Sequence, residues 1–465
     1  MKNVMKDIRT YFILLLGVSV TWFIYQMIRY PLLPIKYQMP IIIIILLFAL
    51  LLVGSQFKTH KKIQLTGKIL IILYSVILLV INYTLFRTVD LFQNIVQSED
   101  IDVVSVIVKE DSSYRYIEDL DGKIYSTLEN KDEYIDETIN EIQDLNKSQM
   151  NLKYYSGVEK LVYALLESQT VDCIIMNESY RSVIEQEYPD FTSQTRVIYS
   201  KEFVTEVAES NEYINITSDT FSIFISGIDT YGSISTKSRS DVNMIVTVNP
   251  TTKQILLTSI PRDYYIPFHV LDGARDKLTH SGLYGVDETK DNVADYFDIN
   301  IPFYVRVNFT SLIDIVDVIG GIEVDNPQDF LNFKKGTIHL NGEEALTFSR
   351  ERYSFKAGDR ERGRNQMRVI TGIINKVISP SIIKNYMSLL DSLHSSFQTN
   401  LSDEQMISLI RMQIDDMASW SIETYSVDGT GDMLMSPIYG SKLYMMIPDD
   451  NTVKTAKEKI SALYK

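Results

Sequence analysis

Three stretches in the first fifth of the chain carry almost no polar positions: 11–28, 41–53 with its flanks, and 69–86. A helix needs roughly 20 mostly apolar residues to cross a bilayer. Each stretch reaches that length, the middle one once Met39 and Phe57 are counted. They predict three transmembrane helices in a membrane anchor over residues 1–98. Lys2, Lys6 and Arg9 precede the first run and Lys58, Lys61, Lys62 and Lys68 separate the second from the third, whereas the other loop has only Arg29 and Lys36. This bias puts the N-terminus in the cytoplasm, so that three crossings place everything after Arg87 outside the cell.

Beyond residue 98 the pattern becomes that of an α/β protein. DVVSVIVK and VDCIIMN read as strands, while EYIDETINEIQDL and VEKLVYALLES space their apolar residues three and four apart, as helices do. These define a small accessory domain over 99–214, either a spacer or a binding module. A second domain, 215–465, opens with the strand TFSIFISGIDT, continues with SRSDVNMIVTVN, turns at NPTTK and returns as QILLTSIPRDYY. The proline turn predicts a β-hairpin. Antiparallel order then gathers Asp229, Arg239, Asp241 and Arg262 at one sheet edge. DNVADYFDI reads as a helix, IPFYVRVNF as a strand, and FTSLIDIVDVIGG as an apolar helix stopped by Gly320 and Gly321. MRVITGIINKVI continues as an amphipathic helix; such helices are either ordinary core or the walls of a slot for a lipid chain.

Charge sharpens this picture. The chain carries a net charge of -15, which argues against nucleic acid as a partner. Against that background, Arg350, Arg352, Lys356, Arg360, Arg362, Arg364 and Arg368 crowd into one run with only Glu351, Asp359 and Glu361 to offset them. Guanidinium forks match phosphate oxygens two at a time, so the run reads as an anion site; the alternative is a salt-bridged helix start. Asp229 and Asp241 suit a Mg²⁺ ion shared with phosphate, or else they start turns and pair with Arg239 and Arg262. Cys173, the single cysteine, sits in an apolar strand and reads as a buried structural thiol. Lone His280 is a structural residue or an acid/base.

The motifs GIDT, SRSDVNMIVTVNP, SIPRD, DKLTH, VDVIGGIEVD, ALTFSRER and DRERGRNQ, in this order over 221–378, resemble the LytR-CpsA-Psr family of cell-envelope proteins. The three spans and the intervening domain are similar to its capsule-associated CpsA branch. The resemblance implies an α/β/α domain whose central mixed sheet encloses a polyisoprenoid tail, with the pyrophosphate at the mouth. It implies Mg²⁺ held by Asp229 and Asp241, and pyrophosphate held by Arg239, Arg262, Lys277, Arg350, Arg352, Arg362 and Gln366. Where the family motif ends in Arg-Gln, this chain has Asn365 and Gln366, and Arg364 stands in.

Catalysis is then expected of Asp241, Arg262 and Asp229. The implied reaction transfers an undecaprenyl-pyrophosphate-linked glycan, of capsular polysaccharide or teichoic acid type, to peptidoglycan on the outer face of a Gram-positive membrane. Capsule assembly proteins are implied partners. Two other functions fit the same residues: a polyisoprenyl pyrophosphate phosphatase, with water as acceptor, and a non-enzymatic scaffold for polymer export.

Overall fold

The computed structural model describes residues 8–29, 34–95, 99–130, 132–146, 149–210, 212–230, 233–379 and 397–465. Its contacts divide it into two compact units, the first taking in Met1–Ile95 and Asp403–Ala418. Helices α1 (Ile8–Arg29), α2 (Ile35–Ser55) and α3 (Lys61–Ile95) follow the three apolar runs. All of α1 and α2, and Lys61–Phe86 of α3, are long and apolar enough to cross a membrane. They pack through Leu16, Val20, Phe23, Leu52, Ile71 and Leu78. Leu14, Ile44, Leu51 and Leu73 face outward, as lipid-facing residues do. Lys36, expected in a loop, lies in the first turn of α2, 2.7 Å from Asp415 of the helix Asp403–Asp416. Lys2 and Lys6, used above for orientation, lie outside the described residues.

The second unit is built on two large sheets. The accessory sheet is formed by β1 (Glu99–Lys109), β2 (Ile124–Leu128), β3 (Asn151–Tyr155), β4 (Cys173–Asn177) and β5 (Thr195–Glu206), in the order β3-β2-β4-β1-β5. Helix α4 (Glu133–Asn146) buries Ile135, Ile139 and Ile142 against one face, where Cys173 is also fully buried; burial pushes its thiol well above the ordinary range. Helices α5 (Val158–Leu166), α6 (Arg181–Glu187) and α7 (Phe191–Gln194) lie in a core shared with the second sheet: Leu161, Leu165, Ile184 and Phe191 belong to the same cluster as Phe224, Ile245 and Tyr304.

That second sheet is mixed and six-stranded. Its strands are β6 (Phe221–Ile228), β7 (Ser240–Asn249), β8 (Gln254–Ile260), β11 (Phe303–Val307), β14 (Gln398–Thr399) and β15 (Ser421–Ser426), in the order β14-β11-β6-β7-β8-β15. β6, β7 and β8 form the expected antiparallel meander, while β11 and β15 run parallel to β6 and β8. Between β7 and β8 the Asn249 side chain accepts the N–H groups of Thr251 and Thr252 at 3.0 and 2.9 Å, the asparagine chemistry that makes a tight turn. One sheet face enters the shared core with α8 (Val286–Phe297) and the helix Asp450–Leu463. The other meets α9 (Phe309–Val318), α10 (Gly342–Arg350) and α11 (Asp359–Val377). Two short hairpins, β9 (Tyr265–Pro267) with β10 (Arg275–Lys277) and β12 (Ile322–Asn326) with β13 (Gly336–Leu340), complete this region, and β16 (Gly429–Met435) pairs with β17 (Lys442–Pro448). The β9-β10 hairpin replaces the loop expected around Lys277.

Two seams join the accessory sheet to the larger one. At the first, α5 begins against the turn after β16: the N–H groups of Val158 and Glu159 donate to the carbonyls of Ile438 and Tyr439 at 3.2 and 2.9 Å. Only glycine fits beside this contact, because a Cβ on Gly157 would lie 2.6 Å from Gly440 Cα. Gly157→Ala is therefore expected to lower stability by about 1–3 kcal/mol through forced backbone displacement. A chemical unfolding midpoint equal to the parent's would show the seam to be loose.

The second seam is ionic. Arg306 of β11 is 1% exposed. It donates to Asp100 Oδ1 at 3.2 Å, to Gln398 Oε1 at 3.3 Å and to the Thr236 carbonyl at 2.8 Å. Beside it Lys237 Nζ sits 2.7 Å from Asp102 Oδ2, which lies on β1.

Candidate active site

A cavity of about 610 Å³ opens between the helix-bearing face of the large sheet and α9, α10 and α11. Its position follows from strand direction. β6, β8 and β11 end, and β7 begins, at the same edge, so that Asp229 just after β6, Arg239 and Asp241 at the start of β7, and Arg262 just after β8 converge. The ladder between β6 and β7 is irregular there: Gly227 pairs with Val242, but Ile228 pairs with Ser240. Asp241 is therefore an extra residue without a partner, a β-bulge of the kind that re-aims a side chain. Gly227 is needed opposite, since a Cβ would lie 2.7 Å from Val242 Cβ.

The structure places Asp229, Arg239, Asp241, Arg262, Arg350, Arg352, Arg362 and Gln366 around this one cavity. The arginine run splits to supply it. Arg350 ends α10, its guanidinium stacked 4.1 Å from the Phe309 ring centre, and reaches to 3.8 Å from Asp229 Oδ1. Gly358, with φ of 50°, turns the chain into α11, whose first turns present Arg362 and Gln366. Three other arginines of the run are used elsewhere: Arg360 binds Asp428 at 2.6 Å, while Arg364 and Arg368 clamp Glu361 at 2.7 and 2.8 Å. Part of the run is thus salt-bridged, and part of it lines the cavity.

Two expected residues lie outside the cavity. Lys277 is 3% exposed, and its ammonium faces Asp263 at 3.5 Å; the β9-β10 hairpin turns it inward, away from the residues that line the cavity. Arg364 lines a neighbouring cavity of about 110 Å³ that shares Asp241, Arg262, Arg362 and Gln366, but not the main one. His280 is fully buried with Asp276, 3.0 Å away, and Asp276 also accepts from Ser436 Oγ and Ile438 N–H. Burial raises the Asp276 pKa, yet His280, the Ser436 hydroxyl and the Lys277 N–H bring it net below the ordinary value. His280 is a structural pin.

Electrostatics at the centre are strong. Asp241 accepts from Arg262 Nη1 at 2.7 Å and from Thr279 Oγ1 at 2.8 Å. Burial pushes its carboxyl up, but Arg262, Arg239, Thr279 and Arg362 outweigh this and hold it below 3.8. Asp359, which sequence reasoning passed over, lies 3.7 Å from both Arg262 and Arg352 and 3.2 Å from Arg362; its place three residues before Arg362 was the available signal. The Nε atoms of Arg239 and Arg262 are buried without a hydrogen-bond partner, an arrangement that costs free energy until an acceptor arrives. Five arginines against Asp229, Asp241 and Glu185 leave the cavity a surplus of two positive charges. Behind them Ile225, Val242, Leu312, Leu346 and Val369 make an apolar floor.

Among the described residues no three His, Cys, Asp or Glu side chains converge as a metal cage. Asp229 and Asp241 can offer a cation two carboxylates, with the rest of its shell left to phosphate oxygens and water. That donor set suits Mg²⁺.

The family model of the LytR_cpsA_psr family matches residues 190–460. The chain belongs to the LytR-CpsA-Psr family. Among its relatives, a polyisoprenyl-teichoic acid–peptidoglycan teichoic acid transferase, TagU of Enterococcus faecalis, is 36% identical over 44% of this chain and 70% of its own length. TagU of Bacillus cereus (strain AH820) is 34% identical over 50% of this chain and 75% of that protein. The crystal structure of Bacillus subtilis TagV matches with 30% identity and a TM-score of 0.46, covering 53% of this chain and 98% of TagV. The matched region of this LytR-CpsA-Psr protein contains the whole six-stranded sheet, α9–α11 and every cavity residue except those of α6.

Proposed function

We propose that this membrane-anchored protein transfers a glycopolymer, capsular polysaccharide or teichoic acid, from a polyisoprenyl pyrophosphate carrier to a peptidoglycan hydroxyl outside the cell. One observation carries the reading: five arginines and two aspartates converge over an apolar floor, a match in order and charge to a lipid pyrophosphate. The names of the relatives as peptidoglycan teichoic acid transferases support it.

In this reading Leu312, Leu346 and Val369 hold the first part of the lipid, while Arg239, Arg262, Arg350, Arg352 and Arg362 bind the two phosphates. The acceptor oxygen bonds to the glycan-side phosphorus and its proton passes to solvent, while the anhydride P–O bond breaks and lipid phosphate departs with the bonding pair. Charge grows on oxygens that the arginines already face, so the stabilising dipoles need little rearrangement. Asp229 and Asp241 would hold Mg²⁺, which supplies further neutralisation of phosphate charge. Asp241, already facing the Arg262 guanidinium and the Thr279 hydroxyl, suits holding positive charge.

The test incubates the full-length protein in detergent with a polyprenyl-pyrophosphate glycan, peptidoglycan fragments and Mg²⁺, and follows products by mass spectrometry. The expected product is glycan joined to peptidoglycan through one retained phosphate. Lipid phosphate released without joining would establish a phosphatase instead, and tight binding without turnover a scaffold.

A further inference from the structure

The cavity has one wall that the family domain does not supply. Helix α6 belongs to the accessory domain and precedes the matched region, yet its Ser182, Glu185 and Gln186 line the cavity. Contact is direct: Arg239 Nη1 donates to Gln186 Oε1 at 3.0 Å. This fixes Arg239 through one nitrogen and leaves its buried Nε without a partner. Glu185 accepts from the Thr192 hydroxyl, which also receives Arg181 Nη1 at 2.9 Å, so the wall is braced from behind by α7.

The cavity is graded in polarity. At one side Arg350 stacks on Phe309, where α9 begins, near Leu312 and Leu346. At the other side Arg239 touches α6, whose cavity residues are an amide, a carboxylate and a hydroxyl. The substrate class proposed above is graded in the same order, from lipid through pyrophosphate to sugar. Planar amides, carboxylates and hydroxyls are the groups that exchange hydrogen bonds with a ring of sugar hydroxyls.

We infer that α6 forms a subsite for the sugar attached directly to the pyrophosphate, so that the accessory domain selects which lipid-linked glycan is transferred. This rests on the pyrophosphate reading of the cavity. Gln186 acts as a positioning residue for Arg239, while Ser182 and Glu185 face the sugar.

The test compares two probes, geranylgeranyl pyrophosphate and the same lipid pyrophosphate bearing a disaccharide, titrated against the full-length protein in detergent. The parent is expected to bind both. The Ser182→Ala/Glu185→Ala double variant is expected to bind the bare pyrophosphate at least as tightly as the parent, since one carboxylate that offsets the arginines is gone, but the glycosylated probe about tenfold or more weakly, the scale of two lost hydrogen bonds. Equal weakening for both probes would overturn the subsite, since α6 would then serve only the head group or the fold. No weakening for either would overturn it as well. Failure of the parent to bind the bare pyrophosphate would overturn the underlying reading of the cavity instead.

Discussion

Asp241→Asn is expected to reduce transfer to peptidoglycan by about 100- to 1,000-fold, the scale of losing one preorganised electrostatic group. The amide keeps the shape: its single oxygen can accept from Arg262 while its NH2 donates to the Thr279 hydroxyl, so the bulge and the cavity survive. What disappears is the charge that offsets Arg239, Arg262 and Arg362 and the carboxylate that would share a cation with phosphate. The two effects separate on chelation. Without divalent ions, the variant is expected to bind geranylgeranyl pyrophosphate at least as tightly as the parent, because a repelling anion is gone. With Mg²⁺ added, the parent gains affinity and the variant does not. A variant that retains more than about a tenth of parental transfer would remove Asp241 from the chemistry.

The same substitution has a stability signature with a definite sign. The folded pKa of Asp241 lies below its ordinary value of 3.8. A group of this kind contributes stability that is present above its unfolded pKa and is lost as pH falls through its folded one. The parent's advantage over Asp241→Asn should thus be level above about pH 4 and vanish only in stronger acid.

Arg306→Ala is expected to cost about 3–5 kcal/mol, because it strips the Gln398 amide oxygen and the Thr236 carbonyl of their donor and leaves the half-buried Asp100 charge with only the Gln398 amide N–H beside it. In thermal unfolding this corresponds to a fall of roughly 6–10 °C. Arg306→Lys should recover part of it, since an ammonium can satisfy Asp100 but not all three acceptors at once. Because Arg306 ties β11 to the first residues of β1, the alanine variant should also loosen the accessory domain, read as faster amide exchange in β1. An unfolding midpoint within about 1 °C of the parent's would mean that water satisfies the three acceptors.

Much of the site could be read from the sequence because it depends on local geometry. The NPTTK turn makes β7 and β8 antiparallel, and that alone brings Asp241 and Arg262 to one edge. The apolar runs of the anchor needed only length and hydropathy. Contacts distant in sequence were not accessible in the same way. Lys277 looked like a loop cation until the β9-β10 hairpin turned it toward Asp263. The arginine run could not be apportioned without knowing that Glu361 and Asp428 take three of its members. β14, β15 and the helix Asp403–Asp416 come from a region with no motif, and Arg306 sits in a strand, FYVRV, whose pattern says only that one polar side chain interrupts four apolar ones. Nothing in the spacing of α6 signalled that Ser182, Glu185 and Gln186 reach the cavity.

The bulge at Asp241 separates what the strand needs from what the chemistry needs. Remove that residue on paper and Ser240 still faces Ile228 while Val242 still faces Gly227; the ladder becomes regular and loses nothing. In the β6-β7 ladder residue 241 is surplus, and what it adds is a carboxylate held by Arg262 and Thr279. A one-residue gap at this position in a related sequence would mark an intact sheet without this carboxylate at the cavity.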